Sequence, residues 1–335
     1  MHGWIILDKP LGLGSTQGVS AVKRALRDGG YAKVKVGHGG TLDPLATGVL
    51  PIALGEATKL AGRMLDSDKI YDFTIGFGSQ TDTLDGEGKE IATSDVRPTL
   101  DDILAILPRF TGPIAQVPPI YSALMVDGQR AYDLARAGEP VVLATRDVTV
   151  YGLGLKEGAL RLPACGGRSG QASTGSARAV GGSGAGLSNS AQAEPVEAPL
   201  PLHEITLTAH VSKGTYIRSL ARDIALALGT VGSVTMLRRT KAGPFTLDQA
   251  ISLDKLDACA KARSLEDISL PLTAGLDDIP AFSVTPDQAR LLRQGQVLIG
   301  IAAQHGLHLA TEGAAPVALV DVSDLGVRVV RGFNL

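Results

Sequence analysis

Cysteine, aromatic residues and long apolar runs are all scarce in this sequence. Only two cysteines occur in 335 residues, Cys165 and Cys259, too few and too far apart for a disulfide framework or a cysteine-bound metal. No stretch approaches the ~18 consecutive apolar residues of a membrane-spanning helix. The first ten residues lack the basic and apolar segments of a secretory signal. We therefore expect a cytoplasmic protein with no membrane partner.

The overall charge does not indicate a nucleic-acid partner, because 32 Lys and Arg against 34 Asp and Glu give a net charge of −2. The distribution is uneven, however. Residues 1–70 hold nine Lys or Arg and six Asp or Glu, a net +3, whereas residues 205–245 hold six and one, a net +5. Brought together in space, the two segments would form one positive face for phosphates. Charge alone favours the simpler interpretation of ordinary solvated faces.

The chain is long enough for about two domains, and one segment differs sharply from the rest. Twenty of the thirty residues from 165 to 194 are Gly, Ser or Ala. Such a composition cannot bury enough apolar area to offset its conformational entropy. We predict a disordered insertion at about 158–201. Strand-like runs at 148–155 and 205–211 flank it, as in a hairpin with a lengthened tip.

Hydrophobic periodicity predicts helices in some segments and strands in others. The first predicted helix begins at Ser15 or Thr16 and ends near Gly29. Three further helices are predicted at 99–107, 217–228 and 286–293. The predicted strands are 71–77, 317–322 and 327–333. This mixture indicates an α+β protein with a small β-rich module at its C-terminus.

The densest anomaly is residues 37–48, GHGGTLDPLATG, in which glycines accompany His38 and Asp43. Glycine allows the backbone to approach a ligand closely. The pattern matches neither a Walker loop nor a dinucleotide fingerprint. Read from the residues alone, Asp43 and Pro44 favour an ordinary helix start, with the aspartate as N-cap.

Three shorter segments also carry polar residues at element ends. In residues 212–218, SKGTYIR, a strand gives way to a helix, which is a possible phosphate site with Arg218 and Arg222 on one face. Two solvated arginines are the simpler alternative. Tyr71 opens a strand after DSDKI and would ordinarily be a core residue, and LDKP at residues 7–10 indicates only a strand that ends in a turn.

Together and in this order, these segments resemble the TruB family of tRNA pseudouridine synthases from about residue 4 to residue 256. The matching blocks are LDKPLG (7–12), GHGGTLDPLATGVLP (37–51), DSDKIY (66–71), QTDT (80–83), PPIYSAL (118–124), GQRAYDLAR (128–136), SKGTYIRSLARD (212–223) and LRRTKAGPF (237–245). The resemblance implies the pseudouridine synthase fold over 1–276, a mixed and largely antiparallel sheet flanked by helices. A weaker match from about residue 281 implies a small PUA-like RNA-binding β domain over 277–335.

The resemblance also implies the reaction, which is isomerisation of uridine 55 in the T-loop of tRNA to pseudouridine on a flipped-out nucleotide. No metal or other cofactor is implied. The expected partner is tRNA, and we expect a monomer that needs no other protein. A guided synthase for ribosomal RNA and an RNA chaperone with incidental isomerase activity are the alternatives.

By the matching motifs, Asp43 is the essential carboxylate, which attacks the base, attacks C1′ or removes a sugar proton. Arg218 is its ion-pair partner, and Tyr71 packs against the target uracil and helps to remove its C5 proton. Leu237 lines the same pocket. His38 matches the histidine that fills the gap left by flipped nucleotides.

The remaining expected substrate contacts are Tyr216 in the pocket and, on phosphates, Lys9, Lys69, Lys213, Arg238 and Arg239. The sequence departs from the family pattern at Gly14 and Gly39, where a hydroxyl residue is usual, and at Met125, where lysine is common.

Overall fold

A computed structural model describes residues 1–157 and 200–335 of the chain. Nearly all of the predicted insertion at 158–201 lies outside these residues. The described helices and strands are β1 (Gly3–Lys9), α1 (Ser15–Asp28), β2 (Val36–His38), β3 (Ala46–Leu54), α2 (Ala61–Asp66), β4 (Lys69–Phe77), β5 (Ser79–Thr81), β6 (Glu90–Thr93), α3 (Leu100–Ile106), β7 (Gly112–Gln116), β8 (Met125–Val126), β9 (Gln129–Arg130), α4 (Ala131–Arg136), β10 (Arg146–Leu155), β11 (Glu204–Val211), α5 (Ile217–Ala227), β12 (Gly232–Ala242), β13 (Phe245–Thr246), α6 (Leu253–Ala262), β14 (Leu270–Pro271), β15 (Ala281–Ser283), α7 (Pro286–Arg293), β16 (Gly306–Glu312), β17 (Ala315–Ser323) and β18 (Gly326–Gly332).

The main sheet has ten strands, eight of them in the order β14-β1-β3-β12-β4-β11-β10-β7, with β2 added to β3 and β13 to β12. All its neighbours pair antiparallel except β12 and β3, which run parallel over three residue pairs. The α+β class, with a mixed and largely antiparallel sheet, is therefore confirmed. The parallel contact matters for the site because it places Ala46, the first residue of β3 and three residues after Asp43, beside Leu237 on β12.

One face of this sheet carries two separate hydrophobic clusters. In the first, α1 and α6 pack over β1 and β3, where Ile5 and Leu7 point towards them. In the second, α5 packs over β4 and β12, with Phe73 and Ile75 beneath it. Alternation along each strand explains why these residues share a face. A cleft runs between the two helical layers.

The opposite face of β1 and β3 is covered by the C-terminal part of the chain. Trp4 is fully buried there and packs against Phe245, with ring centroids 5.2 Å apart. Leu309 and Phe333 join the same cluster from the four-stranded sheet β15-β16-β17-β18. The small sheet also has a core of its own around α7. The division at residue 277 stays a prediction, since the second module shares one core with the first.

Most of the predicted elements form close to where periodicity places them. The hairpin flanking the insertion is present as β10 and β11, and the helix that follows residue 216 begins at Ile217. Two local expectations were wrong. Helix α1 is capped by Gly14, whose backbone N–H donates to the Gln17 side chain, and not by Ser15 or Thr16. No helix begins at Asp43, because Pro44 and Leu45 form a turn that leads directly into β3.

Among the described residues, no helix is both long and apolar enough to cross a membrane.

The close approach of β3 to β12 generates a stability prediction at Gly48. This residue has φ +99°, and a Cβ built on it would lie 2.1 Å from the Arg239 carbonyl oxygen. Gly48→Ala should lower the unfolding free energy by at least about 3 kcal/mol, through backbone strain and the forced separation of two strands. Urea denaturation measures this. Gly37→Ala is the control, because a Cβ there would have no atom within 4 Å. Equal stability of the two variants would contradict the prediction.

Candidate active site

The loop that carries Asp43 is held from both sides by hydrogen bonds. The Ser15 hydroxyl, at the start of α1, donates to the Leu42 carbonyl (2.9 Å) and accepts from the Leu42 N–H (2.7 Å). The Gly12 N–H donates to the Pro44 carbonyl at 2.8 Å. A side chain at position 39 would collide with Met64, at 2.7 Å from its Cβ, which explains glycine there in this chain. The loop is thus fixed before any ligand binds.

Two buried cations reinforce this loop from beneath. The Lys9 ammonium donates to the carbonyls of Pro10 (3.1 Å), Leu13 (2.6 Å) and Pro44 (3.2 Å), and its side chain is fully buried. The guanidinium of Arg239, also buried, donates to the carbonyls of Val49 (2.8 Å), Thr41 (3.2 Å) and Gly40 (3.4 Å). Burial lowers the pKa of Lys9 to about 8. Both cations hold protein backbone, which is a correction to the expected phosphate contacts.

Lys69 is used in the same way at the end of α2. Its ammonium donates to the carbonyls of Met64 (3.0 Å), Leu65 (2.7 Å) and Ser67, and burial lowers its pKa to about 8. Only 7% of this residue is exposed. In the structure Lys69 is thus an anchor of the backbone before β4, and its expected contact with a phosphate stays a prediction.

Asp43 meets Arg218 at the floor of the cleft. The guanidinium of Arg218 lies 2.9 Å from an Asp43 carboxylate oxygen, and its side chain is 8% exposed whereas that of Asp43 is 43% exposed. The arginine comes from the first turn of α5 and the aspartate from the loop before β3. A buried cation and a half-exposed carboxylate thus form one pair that opens towards solvent on the carboxylate side. The structure brings these two predicted residues together.

A second carboxylate, Asp85, holds the other end of Arg218. The nearest atoms are 3.1 Å apart, and the Asp85 side chain is only 9% exposed. Arg218 also donates to the carbonyls of Thr83 (2.9 Å) and Tyr121 (3.0 Å). N–H groups of the planar Arg218 guanidinium thus bind acceptors on several sides, and these contacts fix its position.

Asp85 is not among the site residues expected from the sequence, although it lies two residues after the QTDT block (80–83). Leu84, just before it, has φ +63° and turns the chain so that Asp85 faces α5. The Asp85 carboxylate also accepts from the Thr83 hydroxyl (2.6 Å) and the Glu87 N–H (3.1 Å). No sequence pattern predicts that Leu84 adopts the left-handed backbone conformation. No pattern predicts the contact between Asp85 and Arg218 either, because 133 residues separate them.

A cavity of about 300 Å³ opens beside Asp43, lined among others by Tyr71, Tyr216 and Leu237. Tyr71 and Leu237 contact both hydrophobic clusters and so lie where the two helical layers separate. Tyr216 is positioned by Gln116, whose amide exchanges two hydrogen bonds with its backbone (2.8 and 3.2 Å). Burial raises the pKa of Tyr216, so its hydroxyl stays protonated. The lining of the cavity combines aromatic and aliphatic side chains with the Asp43 carboxylate and with three cationic side chains, those of Lys69, Arg218 and Arg239.

His38 lies on the wall of an adjoining and larger cavity, of about 810 Å³, that shares Asp43, Ser122 and Arg218 with the first. Burial, with a smaller effect of Arg239, lowers the pKa of His38, which is therefore uncharged at neutral pH. The His38 Nδ1 atom is buried and has no hydrogen-bond partner among the described residues. Such atoms are rare in folded proteins, and this one lies on the wall of the cavity.

The two remaining expected contacts lie at the surface and are already paired. Lys213 is exposed and lies 3.0 Å from an Asp66 oxygen. Arg238 makes a bidentate pair with Asp8, at 2.8 and 3.0 Å. No group of three or more His, Cys, Asp or Glu side chains in residues 1–157 and 200–335 is arranged to hold a metal.

Comparison with known proteins identifies the class to which this fold and site belong. Residues 27–162 match the model of the TruB family pseudouridylate synthase N-terminal domain, and residues 218–277 match that of the tRNA pseudouridylate synthase B C-terminal domain. The protein is therefore a pseudouridylate synthase in class. A tRNA pseudouridine synthase B of Novosphingobium aromaticivorans is 59% identical, with 100% of this chain and 98% of the relative covered. The one of Zymomonas mobilis is 54% identical, with 100% and 96% covered. The chain belongs to the TruB family.

Solved structures show the same fold at much lower identity. A structure described as a Cbf5-Nop10-Gar1 complex matches with a TM-score of 0.65 and 22% identity, covering 99% of this chain and 85% of that one. One described as an H/ACA RNP bound to a substrate RNA matches with a TM-score of 0.64 and 22% identity, with 99% and 85% covered. These likenesses confirm the fold.

The anchoring contacts generate a prediction for Lys9→Met. Three carbonyls would lose a charged donor at a fully buried side chain, so the unfolding free energy should fall by about 3 kcal/mol or more. Lys213→Met is the control, because an exposed ion pair contributes less than about 1 kcal/mol. Denaturant unfolding of both variants tests this. A Lys9 variant as stable as the wild type would show that the ammonium is not an anchor.

Proposed function

We propose that this protein converts uridine 55 in the T-loop of tRNA to pseudouridine, with Asp43 as its essential carboxylate. Membership of the TruB family sets the class of reaction. The single observation that carries the residue assignment is the Asp43–Arg218 pair, 2.9 Å apart and half open to a cavity lined in part by aromatic and aliphatic side chains. The whole-chain relatives are named as tRNA enzymes, which favours tRNA over a guided ribosomal substrate.

The proposed reaction is an isomerisation that balances without a co-reactant. The C1′–N1 bond breaks, the uracil turns within the pocket, and a C1′–C5 bond forms. C5 then gives up its proton and N1 carries one, so that no atom or electron is gained or lost. Redox cofactors are therefore not required by the chemistry, and none is proposed.

Asp43 has three candidate roles in the first step, which are attack on the base, attack on C1′ and removal of a sugar proton. Each requires an ionised carboxylate held in place. Arg218 supplies the opposite charge that favours this form. The contact of Arg218 with Asp85 fixes the other side of the guanidinium. Arg218 therefore orients Asp43 and does not itself need to reach the nucleotide.

The base is handled by the walls of the cavity. We propose that Tyr71 packs against the uracil and helps to remove the C5 proton, and that Leu237 and Tyr216 close the sides; all three line the cavity, which supports this assignment. A stacked uridine must leave its loop to enter, at a cost of a few kcal/mol. We assign to His38, with its unpartnered Nδ1 atom, the gap left in the RNA. Lys213 and Arg238 are proposed phosphate contacts that would exchange their present carboxylates for RNA.

Residues 277–335 are proposed to be a PUA-like module that adds RNA affinity. Arg328 and Arg331 are exposed on β18, the edge strand of the small sheet. The shared core around Phe333 holds this sheet on the catalytic part. We propose a monomer in the cytoplasm that requires no second protein.

The function is tested with an unmodified tRNA transcript and no added cofactor, followed by mapping of pseudouridine. Asp43→Asn should reduce the single-turnover rate at least about a thousandfold while RNA affinity is retained, because the amide keeps the shape but lacks the charge. Asp223→Asn is the matched control, since Asp223 is also partly exposed and paired with an arginine, 2.8 Å away. Full turnover by the Asp43 variant would refute the assignment.

Asp85→Asn tests the positioning role. We expect the single-turnover rate at saturating RNA to fall by about tenfold to a hundredfold with little change in RNA affinity, because Arg218 loses its second anchor. Asp72→Asn is the control, since Asp72 is similarly buried and paired with Lys156 at 2.6 Å. Both variants should lose stability, but only the first should lose rate. Equal rates in the two would leave Asp85 a merely structural residue.

A further inference from the structure

Five cations near the N-terminus have no task in the site described above. Of the nine Lys and Arg in residues 1–70, Lys9 and Lys69 are buried anchors. Lys59 donates to the Gly332 carbonyl, and Arg63 pairs with Asp278. The other five, all exposed, are Lys23, Arg24, Arg27, Lys33 and Lys35. We refer to these five as the basic α1 face.

The basic α1 face lies on the helix whose N-terminal end borders the site. Lys23, Arg24 and Arg27 follow Thr16 and Ser20 at helical spacing on the solvent side of α1. Thr16 lines the same cavity as His38 and Asp43. At a rise of about 1.5 Å per residue, Lys23 lies about 10 Å and Arg27 about 17 Å along the helix from Thr16. The cations on α1 therefore lie within about 10 to 17 Å of the rim of the site, along one face of the helix.

The cations also converge rather than scatter. Lys23, Arg27 and Lys33 line one cavity of about 390 Å³, which places charges from the helix and from the following loop around a single concavity. Within the described residues, the only salt bridge formed by the basic α1 face is that of Arg27 with Asp28, both well exposed (75% and 52%). A pair so exposed is weak, and its arginine is available to a stronger anion.

We infer that the basic α1 face binds the phosphate backbone of the RNA substrate outside the flipped nucleotide. This inference rests on the proposed function, because only an RNA seated in the catalytic cleft would continue onto α1. Phosphate is the anion that fits, since it recurs along RNA and needs no base-specific contact. An ordinary solvated face would not have to lie on the helix that borders the site, or to place three cations around one concavity.

The test is the double variant Lys23→Ala/Arg27→Ala, with full-length unmodified tRNA transcript as the probe. Alanine is the best helix former, so α1 should persist. Loss of two phosphate contacts should make the plot of log affinity against log salt concentration less steep, by about 1.5 to 2 in slope. Binding of the tRNA should also weaken about tenfold or more at 0.1 M salt. The single-turnover rate at saturating tRNA should stay within about twofold.

Arg109→Ala is the control, because Arg109 is exposed on the turn at 107–110, beside the other hydrophobic cluster. Its salt slope should equal that of the wild type. Equal loss of slope in the control would reduce the effect to general charge and overturn the inference, as would a double variant with unchanged slope and affinity. Failure of the proposed function is a different result, namely wild-type protein that forms no pseudouridine in the same transcript.

Discussion

The arrangement of the site depends on one buried guanidinium shared by two carboxylates. Arg218 contacts Asp43 on its open side and Asp85 on its closed side, at 2.9 and 3.1 Å. An arginine that is 8% exposed would be costly without such partners. The pairing makes the position of Asp43 depend on how α5 packs on the sheet, because α5 carries the guanidinium that contacts both carboxylates. The geometry of the proposed active site and the packing of the fold are therefore coupled at this residue.

Buried cations also fix the loop before β3. Cations that would ordinarily face solvent are turned inward, where Lys9 and Arg239 each bind three backbone carbonyls. A loop rich in glycine loses much entropy on ordering, and charged donors offset this with stronger hydrogen bonds than neutral groups provide. The loop is thereby held from its buried side, and its cavity side carries Thr41, Leu42 and Asp43.

Local pattern predicted the elements better than it predicted the contacts between them. The alternation after Tyr71 and the stripe after Ile217 are readable because a strand or helix repeats its own period. Family resemblance supplied Asp43 and Arg218 as a pair, and the geometry agrees. Asp85 was missed because its role depends on a left-handed Leu84 and a partner far along the chain. The burial of Lys9 was missed for a related reason, since a lysine before a proline has the same sequence signature at the surface.

The buried cations reduce the number of positive charges that the two positive segments present to solvent. The net charges of residues 1–70 and 205–245 suggest one basic surface. Inside the protein, however, carbonyls and carboxylates bind four of these cations, namely Lys9, Lys69, Arg218 and Arg239. Each of these four residues is at most 7% exposed, so direct contacts with a polyanion must come from cations at the surface. Because the chain as a whole has a net charge of −2, the positions of those exposed cations determine where positive potential is concentrated on the surface.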